Sequence, residues 1–261
     1  MATGRRIKRG RSCPYIFGTQ PDNRMTEVDI GRKIEEVRRR VAAAACRVGR
    51  EPSEIRLIAV TKAVEVSLVR RAIAAGVRDL GENRAQELIR KYRALTGHED
   101  VAWHFIGHLQ RNKVRAILDK VVLIHSLDRW ALAVELDRQA GRWGRPVRVL
   151  VQVNVAGEAT KFGLHVEEVR DFVLEAAKMP GLRIEGLMTV APQVSDQEEV
   201  RPVFRRLREL AARLAGIPGA TMRYLSMGMS QDYVVAVEEG ANLLRIGTAI
   251  FGRRGREDGH G

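Results

Sequence analysis

The sequence predicts an α/β protein: a single (β/α)8 barrel of the TIM type, with one extra helix on its N-terminal side. Two observations support this class. Short runs of branched apolar residues alternate with amphipathic segments of helical period, eight times over roughly 200 residues. The runs are evenly spaced, and no GxGxxG fingerprint follows the first of them, as a dinucleotide-binding sheet would usually show. An open doubly wound sheet is therefore the second choice.

The first half of the chain supplies the extra helix and four pairs of strand and helix. Apolar positions recur at helical spacing from Glu27 to Val48, and Gly49 ends that pattern. The next run, Ile55 to Val60, is short, branched and apolar, which is typical of a buried parallel strand. The other predicted strands are 77–80, 102–106 and 121–124, and the predicted helices are 66–75, 84–95, 112–118 and 129–140.

The second half repeats the alternation. The run Val147 to Val153 is the most strand-like in the chain, and Pro180-Gly181 ends the helix predicted after it. The other predicted strands are 183–188, 222–226 and 243–246, and the helices are 166–179, 198–215 and 231–239. Parallel strands joined by right-handed crossovers can then close on themselves.

The composition suits one large domain and excludes several other classes. The 261 residues contain no long apolar run, and two cysteines, Cys13 and Cys46, cannot build a disulfide framework or a four-ligand metal site. No secretory signal is recognisable, so we expect a cytoplasmic location and no membrane contact. Basic and acidic residues are interleaved along the helical segments, so the formal charge of +13 does not predict nucleic-acid binding.

The chain is expected to divide into three parts. Residues 1–24 hold six basic residues against Asp22 alone, so the rest of the chain carries +8 of the formal +13. This segment has no apolar periodicity, which predicts a disordered basic extension. The barrel is expected over 25–255, and 256–261 form a tail.

Polar residues concentrate at the predicted C-terminal ends of the strands, which in a barrel converge on one mouth. Lys62 comes just after the first strand and is the principal candidate for chemistry. The other strand ends carry Glu82 and Asn83, His104 and His108, His125, Gln152 and Asn154, Met188 and Thr189, Ser226 to Ser230, and Arg245 to Thr248.

The loops after the last two strands predict a phosphate site. Ser226-Met-Gly-Met-Ser230 and Arg245-Ile-Gly-Thr248 each contain a glycine, and Gly228 and Gly247 would let the backbone approach an anion closely. The Ser230 and Thr248 hydroxyls can donate to phosphate oxygens. In the alternative interpretation, the glycines only permit tight turns and the hydroxyls only cap helices.

A lysine on one rim and a phosphate site on the other together suggest pyridoxal phosphate, whose aldehyde forms a Schiff base with lysine. Arg245 would then face the pyridine nitrogen as a hydrogen-bond donor and keep that nitrogen unprotonated. The HxxxH pair of His104 and His108 does not predict a metal site, because Gly107 and the strand pattern keep the two rings off a common helical face. His104 is expected to be hydrogen-bonded near the cofactor, and Lys161 is a further lysine that could face the mouth.

Several motifs, in order along the chain, carry a resemblance to a known family. They are Leu57 to Lys62, Gly81-Glu-Asn83, Trp103 to Gly107, Lys161-Phe-Gly163, Gly186-Leu-Met188, Leu225 to Ser230 and Arg245 to Gly252. They resemble the pyridoxal phosphate homeostasis proteins, also called the YggS or PROSC family, which are related to the N-terminal barrel of alanine racemase. The resemblance implies that Lys62 holds the cofactor as an internal aldimine and that Arg245 faces the pyridine nitrogen. It also implies that Ser230, Gly247 and Thr248 hold the phosphate, while Asn83, Met188 and Ser226 line the pocket.

The resemblance implies a cytoplasmic, monomeric carrier that buffers pyridoxal phosphate and delivers it to dependent apo-enzymes, without catalysing a reaction. The alternative is an amino-acid racemase on the same barrel. Racemisation by two bases needs an acid/base group on each face of the substrate. We expect no domain after the barrel to supply the second group, and no residue of the predicted mouth offers an obvious substitute.

Overall fold

The computed structural model describes residues 27–98 and 100–252. The predicted extension 1–24 and tail 256–261 lie outside the described residues. Eight parallel strands form a closed barrel in sequence order, which confirms the (β/α)8 prediction. The barrel closes where the first strand pairs with the eighth, in a register that includes Ile58 opposite Arg245.

The strands are β1 (Arg56–Val60), β2 (Asp79–Glu82), β3 (Ala102–Phe105), β4 (Leu123–Leu127), β5 (Val147–Gln152), β6 (Leu182–Met188), β7 (Ala220–Ser226) and β8 (Leu243–Ile246). The helices are α1 (Glu27–Arg47), α2 (Val66–Ala74), α3 (Ala85–Ala94), α4 (Val114–Ile117), α5 (Trp130–Trp143), α6 (Val166–Ala176), α7 (Arg201–Leu214), α8 (Tyr233–Glu238) and α9 (Thr248–Phe251). Short 3-10 turns precede β1, α4 and α7.

The extra helix was predicted correctly and covers the closure of the barrel. Its apolar stripe, which includes Ile30, Ile34 and Val37, is buried. Through this stripe α1 packs against α2, α8 and α9, the helices beside the closing strands β1 and β8. An amphipathic helix of this kind is stabilised mainly by the burial of that stripe.

Several element boundaries differ from the sequence-based prediction, and β2 is Asp79–Glu82 instead of 77–80. Strand β4 continues through His125 to Leu127, so His125 lies inside the strand and not at its end. The strand can continue because both ring nitrogens of His125 find partners inside the barrel. The short helix α9 was not predicted, since four residues are too few to show a helical period.

The interior of the barrel is partly polar. Outside the barrel wall, a large apolar core fills the space between strands and helices. Inside, a small apolar cluster that includes Ile58, Leu150 and Tyr224 shares the space with buried polar side chains. No helix in the described ranges is long and apolar enough to cross a membrane.

Candidate functional site

A cavity of about 540 Å³ opens at the C-terminal ends of the strands. Its wall combines residues of strands β1, β5, β6 and β8 with the loops that follow β1, β2, β3 and β7, as the sequence pattern predicts for a barrel mouth. Seven of the predicted site residues line it: Lys62, Asn83, Met188, Ser230, Arg245, Gly247 and Thr248.

Three predicted site residues do not form part of this wall. His104 and Ser226 are buried beneath it and contact other side chains inside the barrel. Gly228 has φ +91, and a Cβ added there would lie 2.6 Å from the Ala236 Cβ atom. A glycine at this position therefore permits a tight turn packed against α8, as in the alternative interpretation of this glycine.

The two predicted phosphate loops meet at the start of α9. The Ser230 hydroxyl oxygen accepts hydrogen bonds from the backbone amides of Gly247 (3.2 Å) and Ala249 (3.1 Å). A Cβ added at Gly247 would meet its nearest neighbour, the Val60 Cβ, only at 3.4 Å, so there is space beside the backbone. These amides point at an oxygen acceptor in the cavity wall, and a phosphate oxygen is an acceptor of the same kind.

Arg245 lies at the floor of the cavity with its guanidinium buried. Its Nη1 donates to the Ser226 hydroxyl (2.6 Å) and its Nη2 donates to the Thr189 carbonyl oxygen (2.8 Å). Burial lowers the pKa of Arg245 to about 10, while nearby Asp232 opposes that shift. Arg245 therefore stays charged at neutral pH, and its orientation is fixed by two hydrogen bonds.

A chain of hydrogen bonds runs from Arg245 down through the barrel. The Ser226 hydroxyl lies 2.8 Å from His125 Nδ1, and His125 Nε2 lies 3.0 Å from His104 Nδ1. The chain ends where His104 Nε2 lies 2.9 Å from a carboxylate oxygen of Asp79.

The direction of this chain follows from its carboxylate end. Burial lowers the pKa of His104 and lowers that of His125 well below its usual value, so both rings are neutral and each has one donor and one acceptor nitrogen. The Asp79 carboxylate can only accept, so His104 donates to it from Nε2 and accepts at Nδ1 from His125 Nε2. His125 Nδ1 is then an acceptor, so the Ser226 hydroxyl donates to it while its oxygen accepts from Arg245. The nearby Asp79 partly offsets the shift of His104.

One orphaned atom bears on what the cavity can hold. Asn83 Oδ1 is buried and has no hydrogen-bond partner within residues 27–98 and 100–252, although Asn83 lines the cavity. A buried polar atom without a partner is costly, which indicates that a bound group completes its hydrogen bonding. The cavity thus offers the Lys62 amine, an unpaired amide oxygen, a buried cation and the hydroxyls of Ser230 and Thr248, which suit a small anionic aldehyde.

Comparisons with known proteins agree with this chemistry. A family model described as the N-terminal domain of alanine racemase matches residues 34–255. A pyridoxal phosphate homeostasis protein of Aquifex aeolicus is 42% identical over 222 residues, covering 85% of this chain and 97% of that protein. The protein of the same name from Escherichia coli K12 is 39% identical over 234 residues, covering 87% and 97%.

The chain belongs to the pyridoxal phosphate homeostasis protein family. Among solved structures, PipY of Synechococcus elongatus, described as having PLP bound, matches with a TM-score of 0.75 at 36% identity, covering 85% of this chain and 100% of that one.

One glycine of the homeostasis-protein motifs shapes the wall of the mouth. A Cβ added at Gly107 would lie 2.2 Å from the Asn83 carbonyl oxygen, so only glycine allows the loop after β3 to pass this close to Asn83. This contact sets the position of the adjoining His108, which also lines the cavity.

Sequence reasoning missed part of the rim in this homeostasis-family barrel. His108 Nδ1 lies 3.2 Å from a carboxylate oxygen of Asp128, and its ring stacks on Phe162 with centroids 4.2 Å apart. His108 and His104 thus have separate partners, and no group of three or more candidate metal ligands occurs among the described residues. The Lys161-Phe-Gly163 motif already singles out Phe162 in the sequence, but no sequence feature predicts the contact between His108 and Asp128.

Proposed function

We propose that this chain binds pyridoxal 5'-phosphate and acts in its homeostasis, by buffering the cofactor and delivering it to apo-enzymes. The observation that carries this proposal is the single cavity lined by Lys62, Arg245 and the loops that meet at Ser230, Gly247 and Thr248. The relative PipY, described with PLP bound, supports the choice of cofactor. We also propose that the protein acts in the cytoplasm as a monomer.

Each part of the cavity has a role in this proposal. When bound, the cofactor would supply an aldehyde able to condense with an amine, and Lys62 is the amine that would hold it. Arg245 would serve the pyridine nitrogen as a donor, while the Ser230 and Thr248 hydroxyls would donate to the phosphate beside the Gly247 backbone, with Ser230 oriented by the amides of Gly247 and Ala249. Asn83 supplies the buried acceptor that lacks a partner.

The orientation of Arg245 supports a carrier and not a catalyst. Its guanidinium is held by Ser226 and by the Thr189 carbonyl, so it presents a donor and no proton acceptor toward the cavity. A pyridine nitrogen placed beside this cation would stay unprotonated, and an unprotonated ring would withdraw electrons poorly from a substrate carbon. Removal of a Cα proton therefore gains little stabilisation.

The racemase alternative keeps one specific observation in its favour. We expected no second acid/base group at the mouth, but His108 lines the cavity and is held by Asp128. Histidine is the commonest acid/base side chain in enzymes, so His108 is a candidate for the second base. On the carrier proposal, it remains a rim residue that stacks with Phe162.

Two measurements test this proposal. Addition of pyridoxal phosphate should produce a visible absorbance band in the wild-type protein that is absent in Lys62→Ala, and deuterium should exchange at Cα of L- and D-alanine no faster than with the free cofactor. Enzymic exchange with inversion, lost in both Lys62→Ala and His108→Asn, would replace the carrier by a racemase.

A further inference from the structure

Lys62 lies at the corner of a tight turn. The Val64 amide donates to the Thr61 carbonyl oxygen at 2.9 Å, so Lys62 and Ala63 are the two central residues of a four-residue turn. Ala63 has φ +51, in the left-handed region that residues with a Cβ enter only at a cost. Such a conformation persists only where the surroundings hold it in place.

A buried ion cluster, made of Glu82, Glu87 and Lys91, lies directly under this turn. Lys91 on α3 is fully buried, and its Nζ donates to Glu82 Oε1 at 2.6 Å and to Glu87 Oε2 at 3.2 Å. The spacing of Glu87 and Lys91 on one helix would ordinarily indicate an exposed pair on its surface. Here the pair is turned toward the mouth of the barrel.

The buried ion cluster bonds to the peptide groups on both sides of Lys62. Lys91 Nζ also donates to the Thr61 carbonyl oxygen, and Glu87 Oε2 accepts from the Ala63 amide at 2.8 Å. The Thr61 hydroxyl donates to Glu82 Oε1 at 2.6 Å. Thr61 is thus bonded to Lys91 and Glu82, and Ala63 is bonded to Glu87, so both neighbours of Lys62 are tied to the cluster.

The charge of the cluster makes these bonds persistent. Burial raises the pKa of Glu87, but hydrogen bonds from the Ala63 amide and Lys91 outweigh that effect, so its pKa lies below the usual value. Glu87 is therefore ionised at neutral pH. Glu82 and Lys91 are fully buried and Glu87 is partly buried, and burying ionisable groups is rarely the most stable way to fill a core. Their bonds to the turn at Lys62 indicate a role other than stabilising the fold.

We propose that the buried ion cluster positions Lys62 for its bond to the cofactor, with Lys91 and Glu87 acting through the turn and not by touching the ligand. This inference rests on the proposed function of Lys62. The cluster contacts the loop after β1, whereas the Ser230 and Gly247 loops follow β7 and β8. Loss of the cluster should therefore impair the covalent bond and leave the noncovalent contacts to ring and phosphate intact.

The test compares two ligands on matched variants. The ligands are pyridoxal 5'-phosphate and 4-deoxypyridoxine 5'-phosphate, which lacks the aldehyde and cannot bond to Lys62. Glu87→Ala removes the anchor of Ala63 and leaves the Lys91 to Glu82 pair in place. Arg90→Ala, at an exposed position of the same helix, is the control. Lys91→Met is a second, more severe variant.

We expect Glu87→Ala to slow formation of the absorbance band and to weaken pyridoxal phosphate binding by about tenfold or more, because small misplacements of a reacting group are costly. Binding of the deoxy analogue should change by less than about twofold in Glu87→Ala. Glu87→Gln keeps an acceptor for the Ala63 amide and should restore much of the rate. Arg90→Ala should match the wild type.

Two results would overturn the positioning role. In one, both ligands weaken equally in Glu87→Ala, which would mean general damage to the mouth. In the other, the binding of both ligands and the rate of the band are unchanged. If Lys91→Met fails to fold, the comparison of Glu87→Ala with the wild type still tests the positioning role. Lys62→Ala separates this inference from the proposed function, because an unchanged band in that variant would refute the function itself, whatever the cluster variants do.

Discussion

Ser226→Ala tests the hydrogen-bond chain that runs through the barrel. The substitution removes one hydroxyl that accepts from Arg245 Nη1 at 2.6 Å and faces His125 Nδ1 at 2.8 Å. Two buried groups lose a partner, one of them charged. Each loss costs about 1 to 3 kcal/mol, so we expect the free energy of unfolding to fall by roughly 2 to 6 kcal/mol.

The matched control for this change is Ser126→Ala. The Ser126 hydroxyl is also fully buried, but it has no hydrogen-bond partner in the part of the chain that the structure describes. Its removal deletes an unsatisfied group and should be neutral or slightly stabilising.

The assay is urea-induced unfolding of the two variants beside the wild type, supported by thermal melting. For a domain of this size, a loss of 1 kcal/mol lowers Tm by about 2 to 4 °C, so Ser226→Ala should melt roughly 4 to 24 °C below the wild type. Equal stability of Ser226→Ala and Ser126→Ala would refute the proposed series of hydrogen bonds, since it would mean that Arg245 and His125 do not need Ser226 as a hydrogen-bond partner.

Two further predictions follow from the same site. Ser230→Ala combined with Thr248→Ala should raise the Kd for pyridoxal phosphate by at least about tenfold, because each charge-assisted hydrogen bond contributes about 1.5 to 3 kcal/mol. Affinity for pyridoxal, which has no phosphate, should not change in a titration of the same double variant, and an equal loss for both ligands would contradict a phosphate site. The pKa values of His104 and His125 are lowered in the folded protein, so as the pH falls the unfolded chain binds protons at these residues before the folded protein does. Stability is therefore full above about pH 6.5 and declines as the pH falls below it. Urea unfolding between pH 7.5 and 5.5 measures this, and a flat profile would show that the two rings are not buried and neutral.

The alternation of strands and helices was readable from the sequence, because burial on both faces leaves continuous apolar runs in a parallel sheet. The end of β4 was misplaced because His125 and Ser126 look like the end of an apolar run. Only the contacts of His125 with His104 and Ser226, which come from other strands, explain why the strand continues.

The candidate site was predictable where it depends on strand ends. Lys62 follows β1 and Arg245 lies in β8, and both strands were predicted to within one residue. The convergence of these two side chains on one mouth therefore follows from the fold. His104 was expected near the cofactor, but it points into the barrel toward Asp79. Such contacts depend on the register of neighbouring strands, which a single sequence does not specify.

Lys91 shows a different limit of sequence reasoning. A lysine four residues after a glutamate on an amphipathic helix predicts a solvated pair, and the apolar pattern of α3 gives no reason to bury it. Its burial follows from the approach of α3 to the turn at Lys62, where Lys91 contacts Thr61, 30 residues earlier in the chain. Contacts of this kind were beyond what local pattern could predict.

The proposed function depends above all on Lys62 as the residue that carries pyridoxal phosphate. Borohydride reduction of the protein loaded with the cofactor, followed by proteolysis and peptide mass mapping, tests this role directly. We expect one pyridoxyl group, on the peptide that contains Lys62, and no stable adduct in Lys62→Ala. A pyridoxyl group found on Lys161 or on another lysine, with Lys62 unmodified, would contradict the assignment.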